Sequence, residues 1–169
     1  MEYIMILVNR VFNYFKNKIR RIVLFVRYNR NLTLGERVYW RTGFSVIIEG
    51  SGQLSIGNNC LFNFNCSIAC LGQISIGDSN IFGESVKIYD HNHKFNRRDK
   101  IISEQGMSVG EVTIGNNCWF GSNVVILKGA KIGDNCVIGA GAIISGIIPD
   151  NSLLRTTHNY EVEKISFQN

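Results

Sequence analysis

The 169-residue chain has one proline, Pro149, and no CxxC cysteine pair. A proline-poor chain carrying seventeen glycines is neither a stiff polyproline linker nor a low-complexity disordered segment. Its close cysteine pairs are Cys60/Cys66 and Cys66/Cys70, so zinc-ribbon spacing is missing. Histidine is scarce as well, with only His91, His93 and His158. The N-terminus lacks the order of basic start, apolar core and small-residue cleavage site that marks a signal peptide. Charges also interrupt it before the roughly 20 apolar residues of a membrane span accumulate. The net charge of +5 is uneven. Arg10, Lys16, Lys18, Arg20, Arg21, Arg27 and Arg30 stand against Glu2, and the rest of the chain is slightly acidic. The basic balance therefore belongs to the N-terminus and marks no nucleic-acid groove in the body of the protein.

What is present is a six-residue period from Val112 to Ile148. Ile114, Phe120, Ile126, Ile132, Ile138 and Ile144 are in phase. The next positions are Gly115, Gly121, Leu127, Gly133, Gly139 and Ser145. Four residues after each large one come Cys118, Val124, Ala130, Cys136, Ala142 and Ile148. Neither a 3.6-residue helical period nor simple alternation produces this. A short flat strand plus a turn closes one face of a coil, and the glycine or small polar residue supplies the φ freedom of the bend. Three faces make a triangular coil of eighteen residues, the separation of Gly115 and Gly133. Stacked coils bury the interior that one coil leaves open. The expected fold is mainly β, a parallel β-helix.

Upstream, IEGSGQLSIG from Ile48 matches IACLGQISIG from Ile68, which predicts twenty-residue early coils with two extra residues at one corner. Cys60, Cys66, Cys118 and Cys136 fall at the small inward position and read as free buried thiols of a reducing compartment. Residues 1–30 form an appendage, with an amphipathic helix over 3–28. Its apolar stripe is Ile4, Leu7, Val8, Val11, Phe12, Phe15, Ile19, Ile22, Val23 and Val26. Two roles fit, a cap on the open solenoid end or an interfacial helix on an anionic membrane. The β-helix spans 31–149, interrupted by a loop over 89–111, and residues 150–169 form a tail. The loop, rich in histidine and charge, is where a rigid solenoid carries function.

VTIGNNCWFGSNVVILKGAKIGDNCVIGAGAIIS, with the repeat over residues 54–149, resembles the hexapeptide-repeat acyltransferases, in particular sugar O-acetyltransferases of the galactoside and maltose type. The resemblance implies a left-handed β-helix, acetyl-CoA as donor, a homotrimer, and active sites in clefts between subunits. It implies His93 as catalytic base, five residues after the inward Ile88. It implies an acceptor-facing Asn63 in the run Phe62-Asn63-Phe64-Asn65. The Trp119-Phe120-Gly121-Ser122 run would give Ser122's backbone amide to the thioester carbonyl and Trp119 to the pantetheine channel. Lys128 is a further candidate cofactor contact. The chain departs from the family after the last coil, where Thr156-Thr157-His158-Asn159-Tyr160 replaces a G-x-P-[AC]-[KR] segment.

The chemistry needs a base and an oxyanion donor, and histidine, with an ordinary pKa near about 6.5, suits the base. No covalent enzyme intermediate is required. His91 is the rival base or a substrate contact, and Asp90 would orient a histidine. Lys94, Arg97, Arg98 and Lys100 read as a solvated run or as phosphate contacts. The leading expectation is an acetyl-CoA-dependent sugar O-acetyltransferase of bacterial surface polysaccharide (O-antigen or capsule) biosynthesis. It would be cytoplasmic, with peripheral contact to the inner membrane face through residues 1–28. The alternatives are an N-acetyltransferase on an amino sugar and a non-catalytic trimeric scaffold. A carbonic-anhydrase-like metalloenzyme needs three histidines across adjacent coils, a poor match to His91, His93 and His158, so no metal is expected.

Overall fold

The computed structural model describes residues 2–156, with side chains from Phe15 onward. A helix, Glu2–Tyr28, is followed by a parallel β-helix of about six coils. Its first face stacks Leu32–Leu34, Gln53–Ile56, Gln73–Ile76, Glu111–Ile114, Lys131–Ile132 and Ile147–Ile148. The second stacks Tyr39–Trp40, Leu61–Phe62, Ile81–Phe82, Trp119–Phe120, Val137–Ile138 and Leu153–Leu154. The third stacks Ser45–Ile48, Ser67–Cys70, Lys87–Tyr89, Val125–Ile126 and Ile143–Ile144. Every pairing within these faces is parallel. The strand Leu153–Leu154 carries the stack past Pro149, where the sequence period ends.

The period becomes a core because equal residues fall in register. Phe62 pairs with Phe82 and Phe82 with Phe120 on the second face, all buried, with ring centroids 4.4 and 4.7 Å apart. Ile68, Ile88, Ile126 and Ile144 form the matching column on the third. Each fully buried side chain of this size contributes about 1.5–3 kcal/mol. The inward cysteines are buried free thiols.

The in-phase glycines serve a different purpose from the one expected. A Cβ on Gly115 would lie 2.7 Å from the backbone of Gly133, and one on Gly83 would lie 2.8 Å from Gly121. They permit close approach of successive coils. The left-handed φ of each bend is supplied instead by Asn59, Asn65, Asn117, Asn123 and Asn135 and their equivalents. Asparagine tolerates that conformation better than most residues.

Coil lengths also differ from expectation. Between the inward residues of the first and second faces, and of the second and third, the step is always six. Ile56 to Phe62 to Ile68 and Ile114 to Phe120 to Ile126 are examples. All variation falls at the corner from third face to first. That step is ten residues from Val46 to Ile56, eight from Ile68 to Ile76 and 26 from Ile88 to Ile114. It falls to six from Ile126 to Ile132 and four from Ile144 to Ile148. The coil from Leu54 to Ile74 is twenty residues, as expected, and the coil before it, Leu32 to Leu54, is twenty-two. One edge of the prism absorbs every insertion, and the loop over 89–111 leaves from it.

The helix lies over the first coil, bonded to all three faces. Arg21 donates to the Leu34 carbonyl at 3.0 Å, Arg20 to Arg41 at 3.3 Å and Tyr28 Oη to Val46 at 2.9 Å. Leu24 and Tyr28 pack on the core. The described part of the predicted stripe does not appear among these contacts: Phe15, Ile19, Ile22, Val23 and Val26 are each more than half exposed. From Phe15 onward the helix covers the solenoid with its opposite side, and this part of the stripe faces outward. Among the described residues no helix is long and apolar enough to cross a membrane.

Candidate active site

The candidate residues occupy two different edges of the prism. At the edge from third face to first, Asp90 follows Ile88 and Tyr89 and is completely buried. Its two carboxyl oxygens accept the backbone amides of Leu71, at 2.9 Å, and Gly72, at 2.8 Å, one coil earlier. Oδ1 also faces Nδ1 of His91 at 2.7 Å. Both oxygens already accept backbone amides, and a ring Nδ1–H adds a third donor to the same carboxylate. His91 is turned into the fold, 17% exposed.

From this root an antiparallel ribbon projects, His91–His93 paired with Met107–Val109, with His93 opposite Met107. His93 is exposed and lines a groove of about 610 Å³ with Lys94, Phe95, Arg97, Ser108 and Lys128. Lys128 Nζ donates to Ser108 Oγ, which ties the ribbon to the coil above it. The loop tip is braced by Gln105, which accepts the Arg97 amide and donates to the carbonyls of Arg97 and Lys100. Within the charge run Arg97 pairs with Asp99, and the guanidinium holds that carboxyl below its ordinary pKa.

Asn63 and Ser122 stand at the edge from second face to third, and Trp119 lies on the second face beside it. Asn63 Oδ1 accepts the Phe64 amide at 2.9 Å. Trp119 points outward beside the inward Phe120 and is 55% exposed. Among the described residues the Ser122 amide has no acceptor, whereas its neighbours Gly121 and Asn123 donate to Ile138 and Glu84. The structure thus groups Asp90, His91, His93 and Lys128 on one edge and Asn63, Trp119 and Ser122 on another. Lys128, grouped with the cofactor residues by sequence, lies with the histidines. Leu71, Gly72, Ser108 and Gln105 carry no sequence signal, because the loop has no period and the amides belong to an earlier coil.

No cysteine is poised as a nucleophile. Burial pushes the Cys70 thiol up to about 12, reinforced by the nearby Asp90 charge, and Cys118 up to about 11. A thiol held protonated is a poor nucleophile. Among the described residues no three His, Cys, Asp or Glu side chains gather as metal ligands. His158 and residues 157–160 of the atypical segment lie outside the described residues.

Residues 111–146 match the family model described as bacterial transferase hexapeptide (six repeats). The chain is 30% identical over 156 residues to the Escherichia coli (strain K12) protein named "Putative lipopolysaccharide biosynthesis O-acetyl transferase WbbJ". That match covers 88% of this chain and 79% of the relative. The maltose O-acetyltransferase of Clostridium difficile 630 superposes with a TM-score of 0.62 at 26% identity, over 75% of this chain and 66% of that one. A galactoside acetyltransferase solved in complex with coenzyme A gives 0.63 at 32% identity, over 75% and 62%. The repeat, its stacked coils and these relatives agree, and the chain belongs to the hexapeptide-repeat family of acetyltransferases.

Proposed function

We propose that the protein moves the acetyl group of acetyl-CoA to a sugar hydroxyl, with His93 as general base. The observation that carries this assignment is the groove at the insertion edge, where His93 stands exposed while His91 is held inward by Asp90. His93 takes the hydroxyl proton as the oxygen attacks the thioester carbonyl. The oxyanion rests on an amide donor, for which Ser122 N–H has no competing acceptor among the described residues. Collapse expels the CoA sulfur, which receives the proton from His93. The base supplies about 10²–10⁴-fold and the amide about 10²–10³-fold. His91 and Asp90 are positioning residues at the root of the ribbon.

One chain carries the base and the Asn63–Trp119–Ser122 group on separate edges. A complete site therefore needs the insertion edge of one copy against the other edge of a second, which a homotrimer provides three times over. The acceptor is a bacterial surface polysaccharide or its lipid-linked precursor, as the name of the WbbJ relative suggests for that protein. The outward apolar face of the helix fits a peripheral membrane location. Lys16 and Lys18 flank that face at about 100° per residue.

The test supplies labelled acetyl-CoA and a panel of glycans to wild type and His93→Ala. Label transferred to a sugar oxygen by wild type alone is the expected result. Full activity in the variant removes His93 from the mechanism, and label on an amino-sugar nitrogen replaces O- with N-acetylation.

A further inference from the structure

A second groove, distant in sequence from the loop, lies where the helix crosses the second face. It has a volume of about 360 Å³, and Lys16, Arg20, Tyr39, Trp40, Arg41 and Phe64 are on its walls. Among the described residues three cations line it and no acidic side chain does. The cations are held in place. Arg20 Nη1 donates to the Arg41 carbonyl, and the Arg41 guanidinium lies over the Phe64 ring, 5.0 Å from its centroid. A second observation is independent of the charges. Trp40 is 4% exposed, and its indole Nε1, a donor only, has no partner among the described residues. Leaving a buried donor unpaired costs about 1–3 kcal/mol.

We propose that this groove binds a diphosphate group carried by the acceptor. Forked guanidinium donors match phosphate oxygens, and a space of this size holds a compact multi-anion rather than a nucleic-acid strand. Position ties the groove to the acceptor: Leu61 and Phe64, which line it, flank Asn63 on either side. A sugar diphosphate seated here has its sugar beside Asn63 and Tyr39. Assignment to the acceptor rests on the acetyltransferase function proposed above. The phosphate site itself stands on the groove alone. Coenzyme A also carries a pyrophosphate, so donor and acceptor are the two sources of this chemistry.

Calorimetry of the full chain with inorganic pyrophosphate separates them. Wild type is expected to bind pyrophosphate equally well with and without saturating CoA. Arg41→Gln and Lys16→Gln should each weaken it about tenfold, the effect of one lost charged hydrogen bond, and leave CoA affinity unchanged. Lys16 is exposed on the helix, so its variant decides the matter if Arg41→Gln fails to fold. In a Trp119→Phe background, pyrophosphate should change the fluorescence of Trp40, the remaining tryptophan. Equal pyrophosphate affinity in wild type and both variants overturns the site. Displacement of pyrophosphate by CoA, or weakened CoA binding in the variants, overturns the acceptor assignment. None of these measurements reads turnover, so loss of the acetyltransferase proposal and loss of this site are distinguishable.

Discussion

His91 Nδ1 lies 2.7 Å from Asp90 Oδ1, and Asp90 is buried beneath it on the amides of Leu71 and Gly72. One carboxylate therefore fastens the root of the ribbon to the preceding coil. Asp90→Ala leaves both amides without an acceptor, each worth about 1–3 kcal/mol when buried. Urea unfolding should show a loss of at least that size, with acetyl transfer falling as the ribbon shifts. Unchanged stability would mean that water replaces the carboxylate and that the ribbon is fastened elsewhere.

The separation of His93 and Asn63 on two edges predicts complementation. His93→Ala and Asn63→Ala should each be nearly inactive alone. Subunits unfolded together and refolded as mixed oligomers should recover a measurable fraction of wild-type rate, because some interfaces then join an intact His93 to an intact Asn63. No recovery, despite mixed oligomers seen by native mass spectrometry, places both residues in one chain's site.

The free amide of Ser122 is tested by removing the N–H rather than the side chain. Ser122→Pro deletes a donor that makes no hydrogen bond among the described residues, and proline suits the second position of a turn. The fold should survive, with kcat reduced about 10²–10³-fold. Ser122→Ala should remain close to wild type. Equal activity in the two variants rules the amide out as the oxyanion donor.

The outward face of the helix predicts binding to anionic vesicles. Ile19, Ile22 and Val26 stand three and four residues apart on that face, each more than half exposed. Phosphatidylglycerol vesicles should co-sediment the wild type, and phosphatidylcholine vesicles should not. The triple change Ile19→Glu, Ile22→Glu and Val26→Glu should abolish the effect without lowering the melting temperature, since the helix meets the solenoid through Leu24 and Tyr28. A change in oligomer mass with unaltered vesicle binding makes the face a protein contact.

The fold was legible because its signal is local. A large residue every sixth position, as at Ile114, Phe120 and Ile126, is a statement about one coil that holds in all of them. The loop that carries His91 and His93 was legible for the opposite reason: it stands where the period stops. Three other features were not. The in-phase glycines look like turn residues, yet Gly115 is small because Gly133 passes 2.7 Å from where its Cβ would be. The left-handed bends fall on asparagines such as Asn117 two residues later. The amides that hold Asp90 come from Leu71 and Gly72, nineteen and eighteen residues away, with no spacing to mark them.

By itself the sequence determined a parallel solenoid, its interruption, the amphipathic helix and the residue types suited to acetyl transfer. These depend on the order of neighbours along the chain. Only the tertiary structure decided that every insertion falls on one edge and that Lys128 sits with His93 rather than with Trp119. It also decided that the apolar side of the helix faces away from the core. Periodicity states that a face is apolar. What the face meets depends on the residues opposite, and here Leu24 and Tyr28, among the described residues, occupy the side turned toward the first coil.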